Sequence, residues 1–319
     1  MLISRSVCEP KMREHLSIRL GNSVSQMRLD QAIASQMGIS RSLVAKLIKQ
    51  GDLKINGRRP RKSDEVFAGD QVEILLPDES PKSLETPAEL PILYEDADVA
   101  VVNKPVGMAA HAAPGWEGAT VVGALLAKGC QISTSGPKER CGVVHRLDVG
   151  TSGVMVVAKT ELAFEALKRD FHDRKVQKIY HALVQGYIEP AEGTIEAPIG
   201  RHPSRDFRMA VVAGGKPAIS HYRTLERFLG ASLVQVHLET GRTHQIRVHM
   251  QAVQHCIVGD PIYGGNPVLA KQLGLERQWL HAVSLTFAHP RTQKDLTVNA
   301  PLTKDLAVAL EILRAQEDC

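Results

Sequence analysis

The stretch His145-Arg146-Leu147-Asp148 is the part of the sequence best suited to chemistry. It follows the apolar pair Val143-Val144 and precedes Gly150-Thr151-Ser152-Gly153. This order places Asp148 at the end of a strand that opens into a tight loop, where rigid scaffolds often hold functional side chains. An Asp carboxylate, with an ordinary pKa of about 3.9, is ionised at neutral pH and can act as a nucleophile or base. The alternative is that Asp148 only caps the turn through its carboxylate.

Two other kinds of chemistry are disfavoured by residue spacing. The sequence has no Gly-x-x-x-x-Gly-Lys-Ser/Thr loop, and Gly214-Gly215-Lys216-Pro217 lacks its spacing. His244 and His249 are five residues apart, which is about 140° of rotation on a helix, whereas zinc-binding pairs are four apart and share one face. We therefore expect neither nucleotide hydrolysis nor a metal site.

The elements that must position Asp148 are mostly short strands. Several alternate apolar and polar residues, as half-buried antiparallel strands do. The predicted strands are Val99–Val102, Val154–Ala158, Ile179–Gln185, Ser220–Phe228 and Leu233–Leu238. Helices are predicted at Leu162–Arg174, after Thr243, and at Lys304–Ala315. Many strands with few interspersed helices predict an α+β domain, built on a mixed, mostly antiparallel sheet with flanking helices and loops.

The N-terminal part of the chain is strongly basic. Residues 28–62 hold nine Lys and Arg residues but only Asp30 and Asp52, a net charge of +7 in a chain whose total is +4. Such asymmetry predicts an anionic partner, and a merely solvated basic face is the alternative. The candidate side chains for binding such a partner are Arg41, Lys46, Lys49, Arg58, Arg59, Arg61 and Lys62.

The same region has the pattern of a small α/β module. Apolar spacing predicts one helix from Arg28 and a second after Ser40, followed by a hairpin-like β unit from Leu53 to Leu76. Two basic helices before a compact β unit resemble the S4-like RNA-binding domain. We therefore divide the chain into a flexible arm (1–27), this domain (28–76), a Pro-rich linker (77–91) and the catalytic domain (92–319).

Composition excludes several classes of protein. Hydrophobic residues make up 43% and charged residues 23%, close to the average of globular proteins. Five widely separated cysteines form no disulfide framework, so we expect a reducing cytoplasm. No stretch of about 18 apolar residues occurs, so we expect no membrane partner.

Five further motifs extend the pattern around Asp148. They are Val102-Asn103-Lys104-Pro105 with Gly107, Lys178-Ile179-Tyr180-His181-Ala182-Leu183-Val184 with Gly186, Gly241-Arg242-Thr243-His244-Gln245-Ile246-Arg247-Val248-His249, Gly259-Asp260-Pro261-Ile262-Tyr263-Gly264 and Leu280-His281-Ala282. Together they resemble the RluA-type family of pseudouridine synthases over nearly all of residues 92–301. The stretch from Arg201 to Ala218 and the N-terminal module are most similar to the subgroup that acts on uridines in a stem-loop of large-subunit ribosomal RNA.

The resemblance assigns roles to single residues. It implies that Asp148 is the catalytic nucleophile on a flipped-out uridine and that Arg247 keeps the carboxylate charged and aimed. It implies that Tyr180 stacks on the base and that Arg146 enters the RNA helix where the base has left. The alternatives are a buried strand residue for Tyr180, a salt bridge for Arg146 and a phosphate contact for Arg247 and, equally, for Arg242. We interpret His145 as a structural hydrogen-bonding residue.

The implied reaction moves uracil from an N-linked to a C-linked position on ribose. It changes no oxidation state and needs no external energy, so we expect no cofactor, and we expect a monomer whose partner is RNA. One competing hypothesis is a non-catalytic RNA-binding ribosome assembly factor. Another is an RNA hydrolase that uses His145 and Asp148 as acid and base.

Overall fold

The chain divides into two compact units, Met1–Glu85 and Thr86–Cys319. The structure, a computed structural model, describes residues 14–37, 41–76, 89–113, 116–204 and 208–317. The division falls inside the stretch predicted as a linker. Most of that stretch, residues 77–88, lies outside the described residues.

The N-terminal unit contains two helices and a small sheet. Its elements are β1 (Glu14–Arg19), a 3-10 turn (Asn22–Val24), β2 (Met27–Arg28), α1 (Leu29–Met37), α2 (Arg41–Gln50), β3 (Leu53–Ile55), β4 (Glu65–Val66) and β5 (Gln71–Leu76). The antiparallel strands lie in the order β1-β5-β3, and β2 pairs with β4. Apolar residues of both helices, such as Ile33 and Leu47, pack with Leu53 and Ile74 in its core.

The prediction of a flexible arm over residues 1–27 is wrong for part of that range. Residues Glu14–Arg19 form β1, and every residue from Glu14 to Arg19 is paired with β5. The partner strand is more than 50 residues further along the chain, so the local sequence of a short, partly charged strand gave no sign of the pairing. Residues 1–13 of the predicted arm lie outside the described residues.

The second unit is built on a large sheet. Its strands are β6 (Ile92–Glu95), β7 (Val99–Lys104), β8 (Ser152–Ala158), β9 (Gln177–Gln185), β10 (Glu192–Glu196), β11 (Ile199–Arg201), β12 (Met209–Val211), β13 (Ile219–Phe228), β14 (Ala231–Leu238), β15 (Leu280–Ala288) and β16 (Asp295–Asn299). Within the described residues nine of them form one sheet in the order β10-β13-β14-β9-β15-β8-β7-β6, with β16 paired to β15. Only the β15–β8 pair is parallel among these described strands. The predicted mixed, mostly antiparallel sheet and α+β class are confirmed.

Helices cover both faces of this sheet. They are α3 (Val121–Ala127), α4 (Glu161–His172), α5 (Gln245–Ala252), α6 (Pro267–Gln272) and α7 (Lys304–Glu317), with a 3-10 turn at Lys138–Arg140. Successive strand residues point to opposite faces. Accordingly, Tyr180 and Ala182 of β9 join the core under α3, α4 and α5, while Leu183 joins the core under α6 and α7. Tyr180 therefore lies on the face that carries α4 and α5.

The central strand β8 explains why the region after Asp148 is rigid. All seven of its residues are buried, as expected for a strand covered on both faces. Helix α4 follows directly and is capped by Thr160, whose side chain accepts a hydrogen bond from the Ala163 amide. Phe164 and Leu167 of α4 are buried in the same core as β8. A loop that leads into β8 is thus attached to the most buried strand of the sheet.

Candidate active site

An open cleft of about 540 Å³ lies beside the N-terminus of α5. Its walls come from the loop before β8, from β9, and from the turn between β14 and α5. Asp148, Tyr180 and Arg247, the catalytic set that the resemblance implies, all line this cleft, as do Arg146 and Arg242. Residues separated by about 100 positions in the chain are thus brought together.

Asp148 lies in the loop that leads into β8. The sequence predicts that it lies at the end of a strand formed by Val143-Val144, but that pair makes only an isolated bridge, from Val143 to Val157. The loop turns through a hydrogen bond from the Thr151 amide to the main-chain carbonyl of Asp148, at 3.0 Å. Because the backbone closes this turn, the carboxylate is not needed to cap it. It lines the cleft with 18% of the side chain exposed.

The Lys104 motif holds one side of this loop. The Lys104 ammonium is fully buried and donates to the carbonyls of Pro105 at 2.9 Å, Met108 at 2.8 Å and Val149 at 3.4 Å. The Gly107 amide donates to the same Val149 carbonyl. Burial lowers the pKa of Lys104 to about 7, and the negative charge of Asp148 opposes that shift. The motif therefore positions the residue next to Asp148.

Residues just before and within β15 hold the other side of the loop that carries Asp148. Arg277 donates to the Gly150 carbonyl at 3.3 Å, and Gln278 donates to the Thr151 hydroxyl at 3.3 Å. The Ser152 hydroxyl is hydrogen-bonded to Nδ1 of His281 at 2.8 Å. The loop carrying Asp148 is consequently fixed at both ends before any substrate arrives.

Arg247 is held between two carboxylates. Its guanidinium donates Nε and Nη2 to Asp260 at 2.7 and 2.9 Å, while Nη1 lies 3.5 Å from Oδ2 of Asp148. Burial acts to lower the pKa of Arg247, but hydrogen bonding to Asp260 and the charges of both carboxylates outweigh it and raise that pKa. Since the side chain is only 4% exposed, the alternative role of contacting phosphate is disfavoured.

A second chain of polar groups reaches Asp148 through His244. The Met209 amide donates to the Tyr263 hydroxyl at 2.9 Å, and this hydroxyl lies 2.7 Å from Nδ1 of His244. If the hydroxyl proton is donated to Nδ1, the imidazole proton is on Nε2, which lies 3.9 Å from Oδ2 of Asp148. Burial lowers the pKa of His244, with the charge of Asp148 opposing it.

Tyr180 lies in the wall of the cleft, on β9. Its side chain is mostly buried, and its neighbours in the adjacent strands are Val236 and Ala282. Burial, and then the negative charge of Asp148, raise the pKa of Tyr180, so its hydroxyl stays protonated. A ring held by a central strand at the edge of a cleft offers a fixed surface to a planar base.

The three other candidates near the cleft have different surroundings. Arg146 is exposed at the mouth. Arg242 is half-buried and donates Nε to the Pro217 carbonyl at 3.0 Å. His145 stacks on Phe171 and accepts a hydrogen bond from the Val156 amide at 3.0 Å, and burial lowers its pKa to about 3. His145 is therefore neutral and structural, as interpreted from the sequence.

The basic candidates of the N-terminal unit are on its surface where they can be described. Lys49, Arg58, Arg59, Arg61 and Lys62 are exposed. The guanidinium of Arg59 lies over Gly51, which follows α2 with φ +81°, so Arg59 reaches the carboxyl end of that helix, an arrangement that the helix dipole favours. The side chains of Arg41 and Lys46 lie outside the described residues.

Several site residues were not predicted. Asp260 and Tyr263 belong to a motif noted in the sequence, but nothing in its spacing indicated that they hold Arg247 and His244. Arg277 and Gln278 were missed altogether. Among the described residues, no group of three or more His, Cys, Asp or Glu is placed to hold a metal ion. None of the helices in the described part of the chain is long and apolar enough to cross a membrane.

Comparison with known proteins gives consistent matches in both units. Residues 98–252 match the model of the RNA pseudouridylate synthase family, and residues 27–72 match the S4 domain. An RNA pseudouridine synthase of Mycobacterium bovis is 50% identical, covering 94% of this chain and 98% of the relative. A ribosomal large subunit pseudouridine synthase D of Pseudomonas aeruginosa is 43% identical, covering 91% and 93%.

A solved structure agrees. Human RNA pseudouridylate synthase domain containing 4 superimposes with a TM-score of 0.56 at 27% identity, covering 73% of this chain and 95% of the human chain.

Proposed function

This chain belongs to the RNA pseudouridine synthase family and isomerises uridine to pseudouridine in RNA; from that premise we propose that Asp148 is the nucleophile and that the substrate is large-subunit ribosomal RNA. The observation that carries the first part is the juxtaposition of Asp148, Arg247 and Tyr180 in one cleft. The second part is supported by the relatives named ribosomal large subunit pseudouridine synthase D.

The reaction breaks the bond from N1 of uracil to C1′ of ribose and forms a bond from C5 to C1′. An Asp148 oxygen supplies the electron pair that displaces uracil, which leaves as an anion, turns within the cleft and rejoins ribose through C5. The proton on C5 is then removed and N1 gains one, so substrate and product are isomers. The freed carboxylate can accept the C5 proton, because it is again ionised.

Arg247 keeps this nucleophile usable. A carboxylate that becomes enclosed beside a base loses the water that stabilises its negative charge. The positive charge 3.5 Å away opposes that effect. Because Asp260 takes two donors of Arg247, the guanidinium cannot swing away when substrate enters.

Tyr180 and Arg146 handle the RNA around the reacting base. Flipping a uridine out of its stack costs a few kcal/mol, which stacking on the Tyr180 ring partly offsets. The exposed Arg146 guanidinium at the mouth of the cleft can fill the gap that the base leaves, with stacking and hydrogen bonds. Arg242, beside it, is suited to a phosphate contact.

The hydrolase alternative is disfavoured by His145. One ring nitrogen already accepts the Val156 amide, and because burial lowers the pKa of His145 to about 3, no imidazolium is present at neutral pH to act as the acid. A non-catalytic assembly factor would have no need for a buried Arg247 held beside Asp148, so that alternative is disfavoured as well.

Replacement of Asp148 by Asn tests the mechanism. The amide keeps the shape of the side chain and loses the nucleophile, so we expect no product in a single-turnover assay, with RNA affinity unchanged within a few-fold. Release of tritium from C5-labelled uridine in a large-subunit stem-loop RNA measures turnover directly. The exposed Asp295→Asn variant is the matched control. Product from Asp148→Asn at near the wild-type rate would overturn the mechanism.

Mapping pseudouridines tests the substrate. Large-subunit ribosomal RNA from cells with and without this protein should differ at one or more uridines. If the two maps are identical and pseudouridines are lost from another RNA, the ribosomal assignment is wrong while the enzymatic activity stands.

A further inference from the structure

A second depression adjoins the active-site cleft and is strongly cationic. We call it the α4 groove, because residues of α4 and of the turn after it form one wall. Arg146, Gly241 and Arg242 line both the cleft and this groove, so the two are continuous. The groove contains about 1480 Å³ of space open to solvent. Its cationic side chains are Arg140, Arg146, Lys168, Arg174, Lys178 and Arg242.

These charges are far from neutralised within the protein. Glu239 is the only carboxylate among the described residues that line the groove. It lies 3.6 Å from Arg174 and also accepts a hydrogen bond from His221 at 2.8 Å. Lys178 is mostly buried and donates to the Glu239 carbonyl at 3.3 Å. Arg140, Arg146 and Lys168 have no ion-pair partner in the described part of the chain. A surplus of this size beside a catalytic cleft attracts an anionic ligand.

The lining also includes an apolar part. Val143, Val144 and Phe171 contribute to the same groove, and the half-buried Phe171 ring is fixed by stacking on His145 with ring centroids 4.6 Å apart. An aromatic ring flanked by cations is the combination that binds single-stranded nucleic acid, since bases stack on the ring and phosphates contact the charges. A fully paired helix would not present a free base face to Phe171.

We infer that the α4 groove binds the unpaired RNA strand adjoining the target uridine, with phosphates on Lys168 and Arg174 and a neighbouring base against Phe171. This inference rests on the proposed function, because RNA must reach Asp148. The strand that places its uridine beside Asp148 passes Arg146 and Arg242 and continues into the groove. The groove therefore extends recognition beyond the reacting nucleotide.

The test compares two double variants of full-length protein that remove the same charge at neighbouring positions of α4 and of the turn after it, which line different depressions. Lys168→Gln with Arg174→Gln alters the groove. Arg169→Gln with Lys175→Gln alters exposed side chains of α4 and its following turn that line a different depression, together with the carboxylates Asp170 and Asp295. Affinity for a stem-loop RNA that wild type converts is measured from 50 to 200 mM salt.

Loss of two phosphate contacts should make the slope of log affinity against log salt shallower by about 1.4 to 1.8. When salt rises from 50 to 200 mM, the affinity of the groove variant should therefore fall by roughly tenfold less than that of wild type. The control pair should keep the wild-type slope. The charge-keeping pair Lys168→Arg with Arg174→Lys should restore most of the wild-type slope. Such a recovery would exclude misfolding as the cause of the shallower slope. Equal slopes for the groove and control pairs would overturn the inference.

Shortening the RNA identifies the segment that occupies the groove. Unpaired nucleotides are removed one by one on either side of the target uridine, and affinity is measured with wild type and the groove pair. On one side the two losses should be non-additive, because the groove pair has already lost that contact. Additive losses on both sides would contradict the inference. Absence of turnover by wild type on any uridine-containing RNA would instead contradict the proposed function.

Discussion

At the scale of single residues, the site depends on how Arg247 is shared between two carboxylates. Asp260 is fully buried and takes two donors of the guanidinium, while Asp148 faces the third at the cleft. The sequence predicted Asp148, Tyr180 and Arg247 because their motifs are local. It could not assign Asp260, Tyr263 and His244, because their roles are contacts between motifs that only folding brings together.

Asp260→Asn should therefore act mainly on stability. It breaks a buried pair and leaves Arg247 without full charge compensation, which costs about 3 to 5 kcal/mol. Asp148→Asn removes a partly exposed partner at 3.5 Å and should cost no more than about 1 kcal/mol. Urea unfolding of both variants measures the difference, and equal stabilities would show that Asp260 does not anchor Arg247.

The contributions of the Tyr180 ring and of its hydroxyl can be separated by two substitutions. Tyr180→Phe keeps the ring and should retain RNA affinity, whereas Tyr180→Ala should lose about 1 to 3 kcal/mol of base stacking. Single-turnover rates at saturating protein, compared with affinities, separate a stacking role from an acid or base role. If Tyr180→Ala and wild type turn over alike, Tyr180 is only a core residue.

At the scale of elements, the sequence predicted well those helices and strands that local apolar periodicity and capping determine. Helix α4 and strands β7, β8, β9, β13 and β14 were expected close to where the structure has them, because burial periodicity and capping are local properties. Strand β1 was missed and Val143-Val144 was assigned to a strand in error. Both depend on whether a distant segment offers a hydrogen-bonding edge, which no local window contains.

Gly153 is a position where β8 and β15 approach closely. It has φ +120°, and a Cβ there would lie 2.2 Å from the Ala282 carbonyl oxygen of β15. Gly230, in the turn between β13 and β14, has φ +79° but open space around a Cβ. Gly230→Ala should cost about 1 to 2 kcal/mol from conformation alone, and Gly153→Ala about 1 to 3 kcal/mol more from the clash.

Chemical denaturation of the two glycine variants provides the comparison, and activity provides a second readout. Gly153→Ala should also lower turnover, because Ser152 and Thr151 lead back to Asp148. If the two variants are equally stable, β8 and β15 can move apart enough to accommodate the added Cβ, and the clash with Ala282 does not affect stability.

At the scale of the whole molecule, the chain combines a basic N-terminal unit with a unit that contains every catalytic candidate. The composition shift between them was visible in the sequence, as were the prolines that separate them. The described part of the N-terminal unit exposes five of its predicted cationic side chains. Their function is expected to be phosphate binding, which supplies affinity and carries little sequence information.

Removal of residues 1–85 should preserve the chemical step and weaken RNA binding. Each lost phosphate contact reduces the salt slope by about 0.7 to 0.9, so four or five contacts correspond to about 3 to 4.5. Binding titrations of full-length and shortened protein across a salt series, on one ribosomal RNA fragment, measure this. Superimposable slopes would show that the basic surface is only solvated.

The position of β15 in the sheet determines when the protein becomes active during its synthesis. This strand lies between β9 and β8, and its His281 pairs with Ser152, 129 residues earlier. A nascent chain has therefore made Asp148 and Tyr180 long before the strand that joins their supports leaves the ribosome. Until then β8 and β9 keep open edges, and such long-range pairing forms slowly. The enzyme thus cannot modify RNA until β15 has been made and has paired with β8 and β9.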